Sequence, residues 1–411
     1  MHLSEVLDTT VHHIIRRGAR WVERPGRRFV SLDSDSLLAA GRRRVPGHDF
    51  EDATFLEGLQ RLVQALTTEA RLNLLGRLSA REAIVGHLAN RLQLERDRRQ
   101  HPEIAAQEIE RPIVITGLPR SGSTLLHRLL AQDPANRVPL TWETLTPSPP
   151  PERLTYDSDP RIAVTERNLR WFQRLMPEFS IIHPVGARLP EECVIILSHS
   201  FLSSQFCTMY AVPSYQTWVR SQNLLPAYRL HRRFLQQLQW RCGGSRWILK
   251  APAHLPALKE LCAVYPDVGV IMTHREPLEV LPSEASLHTV LRRTFSDAVD
   301  PSQVGREVTE LTAAELRAGL QARDHGCVPP ERFLDVRYRE LGGDPIGTVR
   351  KVYAHFGIPF TTVAETRMSR HLAETPKDKH GAHVYSLAQF GLDADEERER
   401  YREYRERFLL N

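Results

Sequence analysis

The chain has 411 residues, 41% of them hydrophobic and 26% charged, the ordinary composition of a globular protein. Its formal net charge of +5 suits an anionic nucleotide and does not call for nucleic acid as a partner. No apolar run reaches the roughly 18–20 residues that span a bilayer, and the start MHLSEVLDTT has no signal-peptide core, so a cytoplasmic protein is expected. Five scattered cysteines (Cys193, Cys207, Cys242, Cys262, Cys327), odd in number and without a C-x-x-C, argue against a disulfide framework and against a zinc site. Most are expected to be small buried hydrophobes.

Residues 1 to 110 read as a helical N-terminal extension. Leucines recur at helical steps from Phe55 to Leu94. Ahead of them, Arg16, Arg17, Arg20, Arg24, Arg27, Arg28 and Arg42 to Arg44 form a basic segment. It is a candidate for peripheral membrane contact, though a solvated arginine-rich face is the plainer reading. The polar stretch before Glu110 marks a boundary, with residues 111–411 as the second unit.

That unit opens with RPIVITGLPRSGSTLLHRLLAQDP, from Arg111 to Pro134. An apolar run (Ile113, Val114, Ile115) leads into a turn with two glycines. Leucines then follow at helical spacing until Asp133-Pro134 stops them. Strand, glycine loop and helix aim backbone N–H groups and a helix N-terminus at one point, a site for phosphate. Gly117, Gly122, Ser123 and Thr124 nearly reproduce a Walker A loop, but Ser123 stands where an NTPase has its lysine. The cation sits earlier, at Arg120.

PRSGSTLLHRLL resembles the 5′-phosphosulfate loop of the sulfotransferases that use 3′-phosphoadenosine-5′-phosphosulfate (PAPS), of bacterial type. The resemblance implies a P-loop-like fold without metal-binding machinery. It also implies donor contacts from Arg120, Ser121, Gly122, Ser123, Thr124 and Leu125.

After a proline-rich connector (TPSPPPERL), a helical insertion of about residues 150–240 is expected. Within it Glu191 and Glu192 follow Pro190 and are expected in a first helical turn, where the dipole favours a carboxylate. Either is a candidate general base. The apolar and aromatic segment from Val194 to Trp218 could wall a hydrophobic acceptor pocket or form routine core.

Three further strand–loop–helix units follow, at Trp247–Leu249, Val268–Met272 and Phe333–Val336. Short apolar strands of this kind predict a mostly parallel α/β sheet flanked by helices, with ligands at the carboxyl ends of the strands. LKAPAHL resembles the family's lysine and histidine loop, which makes Lys250 a candidate for neutralising the leaving group with Arg120. His254 then becomes a third candidate base, although Lys250 and His254 are four residues apart where cytosolic members have two. HREPLEVLPS resembles the 3′-phosphate motif and implies that Arg275 and Ser283 grip that phosphate. Arginine's planar fork suits the task, and Pro282 is expected to break or kink the helix just before Ser283. Tyr338 matches the family's adenine-contacting position.

The tail ETPKDKHGAHVYSLAQFGLD resembles the segment that folds over the nucleotide, with Lys377, Lys379 or His380 as candidate contacts. The Glu/Arg run after Asp395 reads as a solvated charged helix. The expected reaction is therefore sulfuryl transfer from PAPS to a hydroxyl of a small hydrophobic metabolite or lipid. No metal is expected, since there is no HExxH and no carboxylate cluster. A P-loop kinase or NTPase is the alternative, disfavoured by the missing lysine and the lack of a strand ending in Asp to hold Mg²⁺. A non-catalytic nucleotide-binding protein is the other.

Overall fold

The computed structural model describes residues 30–176, 178, 184–243, 246–375 and 385–410. Arg16 to Arg28 of the basic segment, and Lys377, Lys379 and His380, lie outside the described residues.

The sheet consists of β1 (Ile113–Gly117), β2 (Asn136–Arg137), β3 (Arg246–Lys250), β4 (Gly269–His274) and β5 (Phe333–Arg337), all parallel and ordered β2-β3-β1-β4-β5. The two-residue β2 is an addition to the four expected strands, too short to leave a hydrophobic pattern. Alternate residues serve two cores. Ile113, Ile115, Ile248, Ile271, Leu334 and Val336 face one side, and Val114, Leu249, Val270, Met272 and Phe333 the other. Burial on both faces is why these strands read as unbroken apolar runs.

Before the sheet come α1 (Ser34–Arg44), α2 (Leu56–Thr68) and α3 (Leu74–Gln100). Arg42 and Arg44, in the last turn of α1, pair with Asp49 and Glu82. Then follow α4 (Ser123–Leu130) after β1, α5 (Thr141–Leu145), and the insertion helices α6 (Pro160–Leu175), α7 (Cys193–Ser198), α8 (Gln205–Met209), α9 (Pro213–Arg220) and α10 (Leu225–Gln239). The N-terminal helices and the insertion share a third core. Leu59, Leu62 and Leu88 pack with Phe201, Phe206, Tyr210 and Tyr215. Those aromatics therefore form interior packing rather than a pocket wall, with Tyr215 donating to the Phe201 carbonyl at 2.8 Å.

The second half continues with α11 (Leu258–Val264), α12 (Pro277–Phe295), α13 (Pro301–Asp324), α14 (Tyr338–Gly343), α15 (Pro345–His355), α16 (Thr362–Glu374), α17 (Ala394–Arg400) and α18 (Arg402–Phe408). Several expectations need correction here. α12 continues through Pro282 to Phe295 rather than breaking before Ser283, although the proline there removes one backbone donor from the ladder. Glu191 and Glu192 precede α7 in extended chain, with Glu192 as its N-cap residue. Tyr338 opens α14 rather than ending β5. The Glu/Arg tail is more than a solvated helix: Tyr401, Tyr404 and Phe408 enter the core, and Glu397, 2% exposed, accepts a hydrogen bond from Thr309. Of the cysteines, Cys193 and Cys207 are buried and the other three are partly so.

Candidate active site

Because the strands are parallel, the loops after β1, β3, β4 and β5 all emerge at one edge. The β1–α4 loop is held by its glycines. Gly117 has φ +123°, and a Cβ there would lie 2.3 Å from the Thr273 carbonyl of β4. Gly122 has φ +88°, and its Cβ would meet the Tyr338 ring at 2.9 Å. Arg120 adopts φ +59° without being glycine, a strained position at the crest of the loop. Ser121 is fully buried and bonds Thr273 Oγ1 at 2.6 Å, tying the loop to the neighbouring strand. Gly122 offers no side-chain cap to α4, so the first-turn N–H groups of Ser123, Thr124 and Leu125 lack intrahelical acceptors. That is the donor set an anion requires.

Two groups of side chains converge on this loop. On one side Lys250, 3% exposed at the end of β3, donates to Thr124 Oγ1 at 3.0 Å and forms a short ion pair with Glu192. His127 lies behind them on α4, its Nε2 3.2 Å from the Ile248 carbonyl. Burial first, and then the Lys250 charge, lower its pKa to about 3. On the other side Arg120 Nε donates to Ser283 Oγ at 3.2 Å, and Arg275 donates to the Arg120 carbonyl at 2.9 Å. The Arg275 guanidinium lies 4.2 Å from the centre of the Tyr338 ring and also pairs with Glu279 at 3.0 Å.

Glu191 is turned inward. It accepts from the Glu192 N–H at 2.9 Å and from the Thr141 hydroxyl at 3.1 Å, and burial raises its pKa. His254 lies in a short 3-10 turn (Pro252–Ala257) and is fully buried. Its Nδ1 is 2.7 Å from the Tyr228 hydroxyl, its ring packs edge-on to His231, and burial drives its pKa well below the usual histidine value. Lys250, Glu192 and Thr124 thus meet at one point, and Arg120, Arg275, Ser283 and Tyr338 at another, while His254 is held in the interior and Glu191, partly exposed, is tied to Thr141.

Two contributors had weak signals in the sequence. Thr273 follows an apolar strand and reads as its end. Tyr385, in the tail, lies beside Ser286 and feels the Arg120 charge; only its place in the tail motif hinted at this.

A glycine loop at the carboxyl edge of a parallel sheet, with a lysine supplied from the neighbouring strand rather than from the loop, sets this site apart from that of a P-loop NTPase. Comparison with known proteins gives the family. Residues 112–362, more than half the chain, match the family model described as the sulfotransferase family, and the chain belongs to it. It is 28% identical over 297 residues, 68% of this chain and 71% of the relative, to the omega-hydroxy-beta-dihydromenaquinone-9 sulfotransferase Stf3 of Mycobacterium bovis. The crystal structure of sulfotransferase STF1 from Mycobacterium tuberculosis superposes with a TM-score of 0.81 at 33% identity, covering 90% of this chain and 98% of that one. Sulfotransferase STF9 from Mycobacterium avium gives 0.82 at 26% identity, with 93% and 98% covered. The sulfotransferase reading therefore prevails over the kinase alternative.

Proposed function

We propose that this sulfotransferase takes its sulfuryl group from PAPS and delivers it to the hydroxyl of a hydrophobic small molecule or lipid, with Glu192 as general base. The observation that carries this reading is the Lys250–Thr124–Glu192 cluster at the mouth of the phosphate loop. The residues present fit the donor. The uncapped α4 N-terminus suits its 5′-phosphosulfate, Arg120, Arg275 and Ser283 its 3′-phosphate, and Tyr338 its adenine.

When bound, the donor supplies an electrophilic sulfur and a phosphate leaving group. The chain provides charge and a proton acceptor around it. A Glu192 carboxylate oxygen takes the hydroxyl proton as the acceptor oxygen attacks. The Lys250 ammonium, between Glu192 and Thr124, can turn to the oxygen on which negative charge develops. Arg120 adds a second positive group from within the loop. His254 is less suited to the base role because its ring is fully buried, bonded to Tyr228 and, with its pKa held well below the usual histidine value by burial, a poor proton acceptor.

A lipid-like acceptor is supported by the relative named for a dihydromenaquinone derivative. Cytoplasmic location is part of the same reading, supported by five free cysteines, which fit a reducing compartment.

The decisive test compares thermal stabilisation by 3′,5′-adenosine bisphosphate with that by ATP plus Mg²⁺. A ligand at about 100 times its Kd stabilises by roughly 2.7 kcal/mol. A shift with the bisphosphate alone is expected, and a shift with Mg-ATP alone overturns the donor assignment.

A further inference from the structure

The helices α17 and α18 lie beyond residues 112–362, the span matched by the family model, yet they reach the nucleotide edge. β4 ends at His274, the residue before Arg275. The His274 ring, 1% exposed, stacks on Phe408 with centroids 4.4 Å apart and planes 15° from parallel.

Its two nitrogens fix a direction of hydrogen bonding. Burial raises the pKa of Asp335 on β5, but hydrogen bonds from His274 and Arg323 outweigh it and hold the carboxyl well below the usual range. Asp335 is therefore an acceptor, taking bonds of 2.8 and 2.7 Å from Arg323 and one of 2.8 Å from His274 Nε2. Burial keeps His274 neutral against the pull of Asp335. With its proton on Nε2, Nδ1 is left to accept from the Tyr404 hydroxyl, 3.0 Å away. The Tyr404 oxygen also faces the backbone N–H of Arg275, whose pull opposes the rise in the phenol's pKa that burial causes. A second strap runs from the Arg405 guanidinium to the Glu276 carboxylate at 3.0 Å, and Arg407 anchors the same helix to Asp324.

We infer that Tyr404, Arg405 and Phe408 are positioning residues of the nucleotide site: the C-terminal helix fixes the backbone at His274, Arg275 and Glu276 and so aims Arg275 at the 3′-phosphate. Aim matters because Glu279 competes for the Arg275 guanidinium at 3.0 Å. A small rotation of the backbone favours that exposed pair over the ligand. The inference rests on the PAPS reading, since it assigns Arg275 a 3′-phosphate to meet.

The test is titration calorimetry of the full chain with 3′,5′-adenosine bisphosphate and with AMP, which lacks the 3′-phosphate. Tyr404→Phe deletes only the hydroxyl and leaves the ring against His274. It is expected to reduce the preference for the bisphosphate about 3–10-fold, the span of one net hydrogen bond, with AMP affinity within about twofold of wild type. Arg405→Gln cuts the second strap at a partly exposed pair and gives the same readout should the tyrosine variant fold poorly. A merely structural role would lower the melting temperature and leave the preference intact. That result in both variants, alongside an Arg275→Ala control that abolishes the preference, overturns the inference and leaves the donor reading standing. A wild-type protein with no preference for the 3′-phosphate removes the donor reading and this inference with it.

Discussion

Lys250 and Glu192 hold each other at the mouth of the loop, and their removal should separate two kinds of catalysis. Lys250→Ala takes away a preorganised cation and should lower the single-turnover rate by about 10²–10³. Glu192→Gln keeps the shape and removes proton acceptance, for a loss of ~10²–10⁴. His254→Phe should instead reduce stability with a far smaller kinetic loss, because His254 is fully buried and bonded to Tyr228. A His254 effect on rate as large as that of Glu192, in quenched-flow with the true acceptor, would reverse the assignment of the base. Gly122 makes a separate prediction. Its φ of +88° and the 2.9 Å approach of Tyr338 leave no room for a methyl group. Gly122→Ala should destabilise the fold by about 1–2 kcal/mol from backbone conformation alone. It should also abolish bisphosphate binding, measurable in the same calorimeter, because the loop must shift away from Tyr338.

At the scale of elements, motifs whose chemistry is local were legible and those completed by distant packing were not. The β1–α4 loop announces itself through Gly117, Gly122 and the leucines of α4, because backbone geometry and helix period are written in neighbouring residues. The burial of His254 depends on Tyr228 and His231 of α10, far away in sequence, and LKAPAHL carries no trace of them. The C-terminal helices misled for the same reason. Their Glu/Arg surface dominates the string, while Tyr401, Tyr404 and Phe408 gain meaning only against Thr309 and His274. A test at this scale concerns the turn at Leu387–Phe390, which returns the tail to α13 just after Tyr385 passes Ser286. Gly305 on α13 makes room for it, since a Cβ there would lie 2.2 Å from the Phe390 carbonyl. Gly305→Ala should therefore displace the turn, costing about 1–3 kcal/mol as overpacking does. It should also weaken bisphosphate binding if the tail closes over the nucleotide. Unchanged affinity in a destabilised variant would separate the tail from the site.

Across the whole molecule, the N-terminal helices, the insertion and the end of α12 contribute to one interior, and titration of Glu315 reports on how the insertion is held to the second half. Glu315 sits half-buried on α13, facing Arg220 of α9 and Glu284 of α12. Burial, more than the neighbouring Glu284, raises its pKa from 4.5 to about 7, against the opposing pull of Arg220. The folded protein therefore holds this proton more tightly than the unfolded chain does. Raising the pH through the window from 4.5 to about 7 costs stability, and the cost is constant above it. At about 1.4 kcal/mol per pH unit the full penalty is at most about 3.5 kcal/mol, and solvent at the partly exposed carboxyl screens part of it. Glu315→Gln removes the titration while keeping the volume. The variant should match wild type in melting temperature below about pH 4, exceed it progressively to pH 7, and hold a nearly constant advantage at pH 8. A wild-type and variant pair that stay parallel from pH 5 to 8 would mean that Arg220 already neutralises the carboxylate, and that α9 and α13 are joined by an ion pair rather than by a shared proton.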